Sequence, residues 1–118
     1  MSKIDLDVSF KKILESPIFD DIKKEKTLDY LTRWIKNVDK RGRYKDLTPE
    51  LLKTLEWLDL SYNNLSVIPP ELAQLSALRN LYVGFNYIAM IPLELILRKD
   101  VTIYGSQNVE YPVRTLLK

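Results

Sequence analysis

The stretch Leu55-Glu56-Trp57-Leu58-Asp59-Leu60-Ser61-Tyr62-Asn63-Asn64-Leu65-Ser66-Val67-Ile68-Pro69 has a counterpart further along the chain. It is Leu78-Arg79-Asn80-Leu81-Tyr82-Val83-Gly84-Phe85-Asn86-Tyr87-Ile88-Ala89-Met90-Ile91-Pro92. Leu55, Leu58, Leu60, Asn63, Leu65, Ile68 and Pro69 each find a like residue 23 positions later, in Leu78, Leu81, Val83, Asn86, Ile88, Ile91 and Pro92. Several chemically different demands therefore share one period. Leu58 and Leu60, like Leu81 and Val83, have the period-2 spacing of a short strand with one buried face. Asn63 and Asn86 follow that strand, where the chain must turn inward. A buried amide there both donates and accepts, so it can hold adjacent coils together through their backbones. The prolines end the turn and set up a return segment. A leucine-rich helix arising by chance would not place Asn and Pro at matching offsets twice, so the reading is an internal repeat.

The spacing L-x-x-L-x-L-x-x-N-x-L-x-x-I-P resembles the leucine-rich repeat family, in its short 23-residue, ras-suppressor-like intracellular type. The connecting segment Ile68-Pro69-Pro70-Glu71-Leu72-Ala73-Gln74-Leu75-Ser76-Ala77-Leu78 fits that family's I-P-x-x-L-x-x-L-x-x-L pattern. The resemblance covers about residues 47–112 and implies an α/β fold: a short leucine-rich-repeat solenoid of two clear coils with degenerate coils on either side.

A third coil is expected from Val101, Ile103, Ser106 and Tyr111-Pro112, which lie 20 residues after Leu81, Val83, Asn86 and Ile91-Pro92. Ser106 then takes the place of the asparagine, with Asn108 as the alternative. Upstream, Asp46-Leu47-Thr48-Pro49-Glu50-Leu51-Leu52 resembles the end of a preceding repeat and its return helix, with Thr48 as N-cap and Pro49 at the first helical position. Counting back 23 from Leu58, Leu60 and Asn63 lands on Ile35, Asn37 and Lys40, which is no strand-plus-asparagine pattern.

The first part reads as helices. Leu28, Leu31, Ile35 and Val38 are at helical spacing, with Trp34 flanking the stripe. Ser16-Pro17 looks like the start of a separate short helix carrying Ile18, Phe19 and Ile22, and Phe10, Ile13 and Leu14 suggest a turn or two before it. A terminal coil exposes its apolar interior unless something covers it. The expected organisation is thus a single domain, 1–118, with 1–45 as a helical cap, 46–112 as leucine-rich repeats and 113–118 as a closing segment.

Composition narrows the function. Among 118 residues there is no cysteine and no histidine. Thiol chemistry, disulfides, Cys-zinc sites, Ser-His-Asp triads and His-ligated metals are excluded. An enzyme would have to work with carboxylates, Lys, Tyr or Ser alone, and the expectation is a non-enzyme with no cofactor and no metal. Of the close carboxylate pairs, Asp20-Asp21 suits an early helical turn, and neither it nor Asp5-x-Asp7 has the oxygen spacing of a calcium loop. The glycines at 42, 84 and 105 are too scattered for a phosphate loop. No run is long and apolar enough to span a membrane, and the N-terminus alternates charge with apolar residues, unlike a signal peptide. The expected setting is cytoplasmic, with no membrane partner.

In the family the residues between the strand leucines point to a concave surface, because side chains alternate across a strand. Those positions hold Trp57, Asp59, Ser61 and Tyr62, then Asn80, Tyr82, Gly84 and Phe85, then Thr102 and Tyr104. Trp and Tyr are favoured at binding hot spots. Trp57, Asp59, Tyr62, Tyr82, Phe85 and Tyr104 are the candidate partner-binding residues, with inward packing beneath the loop the competing reading for Tyr62 and Phe85. Asn63 and Asn86 are expected to be structural. The run Lys40-Arg41-Gly42-Arg43-Tyr44-Lys45 is the densest basic cluster, and Lys40, Arg41, Arg43 and Lys45 form either a solvated loop or a phosphate-binding patch. The function expected is recognition of another protein through the strand face, as a scaffold or an inhibitor by surface occupation; nucleic-acid association through residues 40–45 is the alternative.

Overall fold

The computed structural model describes residues 17–106, and side-chain burial from residue 20 onward. The expectations for Phe10, Ile13, Leu14, Ser16, Asn108, Tyr111-Pro112 and the closing segment 113–118 lie outside the described residues. The described part is an α/β fold. Helix α1 (Pro17–Val38) is followed by a short helix α2 (Pro49–Leu52) and by strand β1 (Trp57–Asp59). A 3-10 helix (Pro70–Gln74) then returns the chain to β2 (Asn80–Tyr82), and α3 (Leu93–Ile96) returns it to β3 (Thr102–Tyr104). The three strands form one parallel sheet in the order β1-β2-β3.

Parallel neighbours need a crossover between them, and here each crossover is a single short helical turn opened by proline. Pro70 and Pro49 start their turns where a missing N–H is not needed, and Thr48 caps α2 by accepting the Leu51 N–H at 3.2 Å. The strands register Leu58 with Leu81, so the 23-residue offset of the sequence is also the strand pairing. Leu58, Leu60, Leu72, Leu78, Leu81, Val83 and Ile88 are fully buried in one core between sheet and return segments. Each such side chain contributes about 1.5–3 kcal/mol by leaving water.

Two expectations are corrected. Residues 17–38 form one continuous helix, not a short helix followed by a second. No glycine or proline interrupts residues 18–38, and the Lys23-Lys24-Glu25-Lys26 segment between the two apolar patches consists of strong helix formers, so a single helix is the cheaper solution. Leu31 and Ile35 on it are fully buried in the common core, with Leu28, Trp34 and Val38 packed at its edge. Thr32, also buried, is satisfied by donating to the Leu28 carbonyl at 2.6 Å.

The second correction is the register of the third strand. Leu81 pairs with Ile103, an offset of 22, not with Val101 at 20. Val101 instead repeats Leu78: its N–H donates to the Arg98 carbonyl at 3.1 Å, as that of Leu78 does to Leu75 at 3.1 Å. One residue is missing between that turn and the strand. Ser106 therefore does not occupy the asparagine position. The backbone N–H of Phe85 donates to the Ser106 carbonyl at 3.0 Å, continuing the ladder past the strand.

The ends of β1 and β2 turn by left-handed residues, Tyr62 at φ 62° and Phe85 at φ 55°. Such a conformation costs a non-glycine residue about 1–3 kcal/mol unless its surroundings hold it. Here Tyr62 and Phe85 donate their N–H groups to Gly84 and Ser106, at 3.2 and 3.0 Å. The turn delivers Asn63 and Asn86 to the interior, 4% and 3% exposed. Asn86 Oδ1 accepts from the N–H of Asn63 (2.9 Å) and of Leu65 (3.0 Å). Its Nδ2 donates to the carbonyls of Leu60, Val83 and Gly84 at 2.9–3.1 Å. Asn63 donates to the Leu60 carbonyl at 3.1 Å and accepts from the Lys40 N–H at 2.9 Å. Among the described residues no buried side-chain polar atom lacks a partner.

Candidate functional site

The side chains of β1–β3 that face away from the core form a continuous surface. Registry does the placing: Asp59 lies beside Tyr82, and Tyr82 beside Tyr104. The rings of Tyr82 and Tyr104 stack with centroids 4.5 Å apart and planes 8° apart, and Trp57 leans on Tyr82 from the diagonal position at 5.6 Å and 43°. Trp57 is 64% exposed, whereas the two tyrosines shield each other and are half-buried. The Tyr104 hydroxyl reaches Asn80 Oδ1 at 3.4 Å, at the long limit of a hydrogen bond. Burial, then the neighbouring Tyr104 and Asp59, pushes the Tyr82 phenol above its ordinary value.

A second pair stands at the turns after the strands. Tyr62 and Phe85 stack at 4.4 Å with planes 8° apart, and both are exposed, so neither is folded beneath the loop. The Arg41 guanidinium carbon lies 5.6 Å from the centre of the Tyr62 ring, within cation–π range.

Between the two aromatic groups sits Asp59. Its Oδ1 accepts from the N–H (3.0 Å) and the hydroxyl of Ser61, and its Oδ2 pairs with Arg41 at 3.3 Å and Arg43 at 3.0 Å. Burial works to raise this carboxyl, but the Ser61 hydrogen bonds and then Arg43 and Arg41 outweigh it and hold it below its ordinary value. The structure thus splits the basic run of the sequence. Arg41 and Arg43 are drawn onto the strand face, Lys40 takes part through its backbone N–H, and the Lys45 side chain is exposed in the loop.

Sequence reasoning missed two residues that hold this surface in place. The Tyr44 hydroxyl accepts the Asp59 N–H at 2.7 Å, closing the outer edge of β1 where a neighbouring strand would otherwise be needed. Its own N–H donates to Asp39 at 2.6 Å, and burial pushes its phenol up. The signal was a lone aromatic inside a basic run. The other is Arg98, which stands 23 residues after Leu75. Its guanidinium donates to the carbonyls of Ala73 (2.9 Å), Leu75 (2.8 Å) and Leu78 (3.2 Å) along the return segment, Leu75 also accepting the Leu78 N–H and Leu78 also accepting from Arg79. Asp100 pairs with it at 2.8 Å.

Among the described residues no three carboxylates are grouped so as to hold a metal ion, and no helix is long and apolar enough to cross a membrane. What the strand face offers is a row of aromatic rings, a buttressed carboxylate and two arginines, on parallel strands whose turns are locked by buried asparagines.

These features define a repeat protein with a parallel-strand face. The family model described as Leucine rich repeat matches residues 45–88, so the resemblance read from the asparagine and leucine spacing is borne out over that segment. No curated protein and no solved structure matches the chain. Leucine-rich repeats generally mediate protein–protein interaction and are typically non-enzymatic.

Proposed function

We propose that this chain is a non-catalytic interaction module that binds another protein through the strand face carrying Trp57, Asp59, Tyr62, Tyr82, Phe85 and Tyr104. The observation that supports this reading most is the ring row Trp57–Tyr82–Tyr104, which joins three adjacent strands while leaving the indole largely in water. An exposed aromatic cluster on a rigid sheet supplies contact area with little conformational entropy to lose, which is what binding hot spots require. Its mode would be occupation of a partner's surface, as scaffold or inhibitor.

The same reading takes the chain as one domain: a short leucine-rich-repeat solenoid whose first end is capped by α1. Full burial of Leu31 and Ile35 in the cluster that contains Leu52 and Leu58 supports the cap. The pairing of Arg41 and Arg43 with Asp59 places these two cations on the strand face beside the aromatic rings, which favours a role in protein recognition over one as a separate basic loop for phosphates. The test is affinity capture with wild type and Trp57→Ala as parallel baits. The expected outcome is a protein captured by wild type and lost, or weakened by about 2 kcal/mol or more, with Trp57→Ala at unchanged thermal stability. Capture of the same protein by both baits would remove the strand face from the account.

A further inference from the structure

The ion-pair arrangement at Asp59 says something about what such a partner carries. Two guanidinium groups converge on a single carboxylate oxygen, Arg41 and Arg43 reaching Asp59 Oδ2 at 3.3 and 3.0 Å, while the other oxygen is taken by Ser61. The carboxylate is saturated, but the arginines are not. Each guanidinium has five N–H donors in a fixed fork, and their side chains remain 35% and 48% exposed. Of the nearby acids, Asp39 accepts the Tyr44 N–H within the loop, and Asp46 lies at the loop's far border next to Lys45. The corner therefore has a surplus of positive charge, with unused planar donors beside the open Tyr62–Phe85 stack, and Trp57 stands two residues before Asp59 on the same face of β1.

Resting on the interaction reading above, we infer that the strand face recognises a protein segment presenting an aspartate or glutamate carboxylate to Arg41 and Arg43, with an adjacent apolar side chain against the exposed aromatics. Asp59 acts as an internal substitute for that carboxylate. It holds the two guanidinium groups on the strand face when the site is empty and competes with the incoming acid for them. Planar bidentate recognition of a carboxylate is what paired arginines do best. The neighbouring rings favour a protein ligand over a bare anion, since an anion gains nothing from the 64% exposed indole.

A phage-displayed library of random dodecapeptides, panned on the full chain, tests this. The best peptide and its Glu/Asp→Gln/Asn counterpart are then titrated by fluorescence anisotropy. Expected is enrichment of Asp or Glu next to Trp, Phe or Leu, and a loss of about fivefold when the peptide acid is neutralised, the scale of one partly exposed ion pair. The double variant Arg41→Gln/Arg43→Gln should bind both peptides alike. Asp59→Asn keeps the Oδ1 acceptor for Ser61 but removes the competing charge, and should bind the acidic peptide several-fold tighter than wild type. Far-ultraviolet circular dichroism of each variant separates recognition from folding. Recovery only of neutral aromatic peptides would overturn the carboxylate inference and leave the interaction reading standing. Recovery of no peptide, or acidic-peptide affinity unchanged in the double variant, would also overturn it. Saturable binding of a single-stranded 20-mer oligonucleotide that is lost in the double variant would reassign the arginines to phosphate.

Discussion

Lys40 and Asn63, 23 residues apart, are joined by a hydrogen bond from the Lys40 N–H to Asn63 Oδ1 at 2.9 Å. Asn63 is joined to Asn86 in the same way, at the same offset and the same distance. The amide ladder of the repeats therefore reaches back to the end of α1, although no asparagine stands at position 40. A backbone N–H suffices at the terminal position, because the side chain of each asparagine serves the unit before it.

The two asparagines are consequently unequal. Asn86→Leu would strand the N–H groups of Asn63 and Leu65 in the interior and remove one donor from three carbonyls. At about 1–3 kcal/mol for each buried group left unpaired, it should cost several kcal/mol. Asn63→Leu frees the N–H of Lys40, an exposed residue that water can reach, while the Leu60 carbonyl keeps Asn86, so its cost should be near the low end of that range. Chemical denaturation of the two variants checks the order; equal midpoints would contradict it.

Gly84 is the position where a methyl group cannot enter. A Cβ there would stand 2.8 Å from the Ser106 carbonyl oxygen, which is backbone and cannot swing aside. Gly84→Ala should destabilise by about 1–3 kcal/mol through the forced separation of neighbouring strands. Thermal unfolding followed by circular dichroism gives the answer, and a wild-type melting temperature would show that the close approach is absent.

Arg98 and Asp100 yield a prediction in pH. The Arg98 hydrogen bond is the main cause that brings the Asp100 carboxyl from 3.8 to about 2. A carboxyl whose folded pKa is depressed adds stability above its unfolded value and loses it as pH falls through the folded one. The contribution should therefore be whole above about pH 4 and fade toward pH 2. Carbon-detected NMR titration should place the Asp100 midpoint near the lower value in wild type and raise it toward 3.8 in Arg98→Met, with Arg79 at 3.3 Å still acting to lower it. That variant should also lose about 1 kcal/mol at neutral pH, because the Ala73 carbonyl loses its donor while those of Leu75 and Leu78 each keep another. Arg98→Lys should restore little, since an ammonium group lacks the fork that reaches three carbonyls.

How much of this was legible in the sequence depended on whether the signal was local. The Leu58/Leu81 offset became the β1–β2 register because one 23-residue period carried leucine, asparagine and proline together. The β3 register was misread because Val101 and Ile103 are two residues apart whichever strand phase they occupy. The missing residue lies between the last return segment and the strand, where no side chain marks it. Nothing local could show that Arg41 and Arg43 meet Asp59, 18 and 16 residues away, or that the Tyr44 hydroxyl closes the edge of β1. Those are consequences of where α1 ends and the loop after it folds back, which only tertiary packing decides.

The central claim is that the strand face, rather than the helical side, is the binding surface. It is tested most directly by two-dimensional NMR of the chain with and without the protein captured by wild type, following the indole N–H of Trp57 and the backbone amides. The account predicts shifts or broadening at Trp57, Asp59, Tyr62, Tyr82, Phe85 and Tyr104, with α1 residues such as Tyr30 and Arg33 undisturbed. Perturbations confined to α1, with the Trp57 indole resonance unmoved, would contradict it.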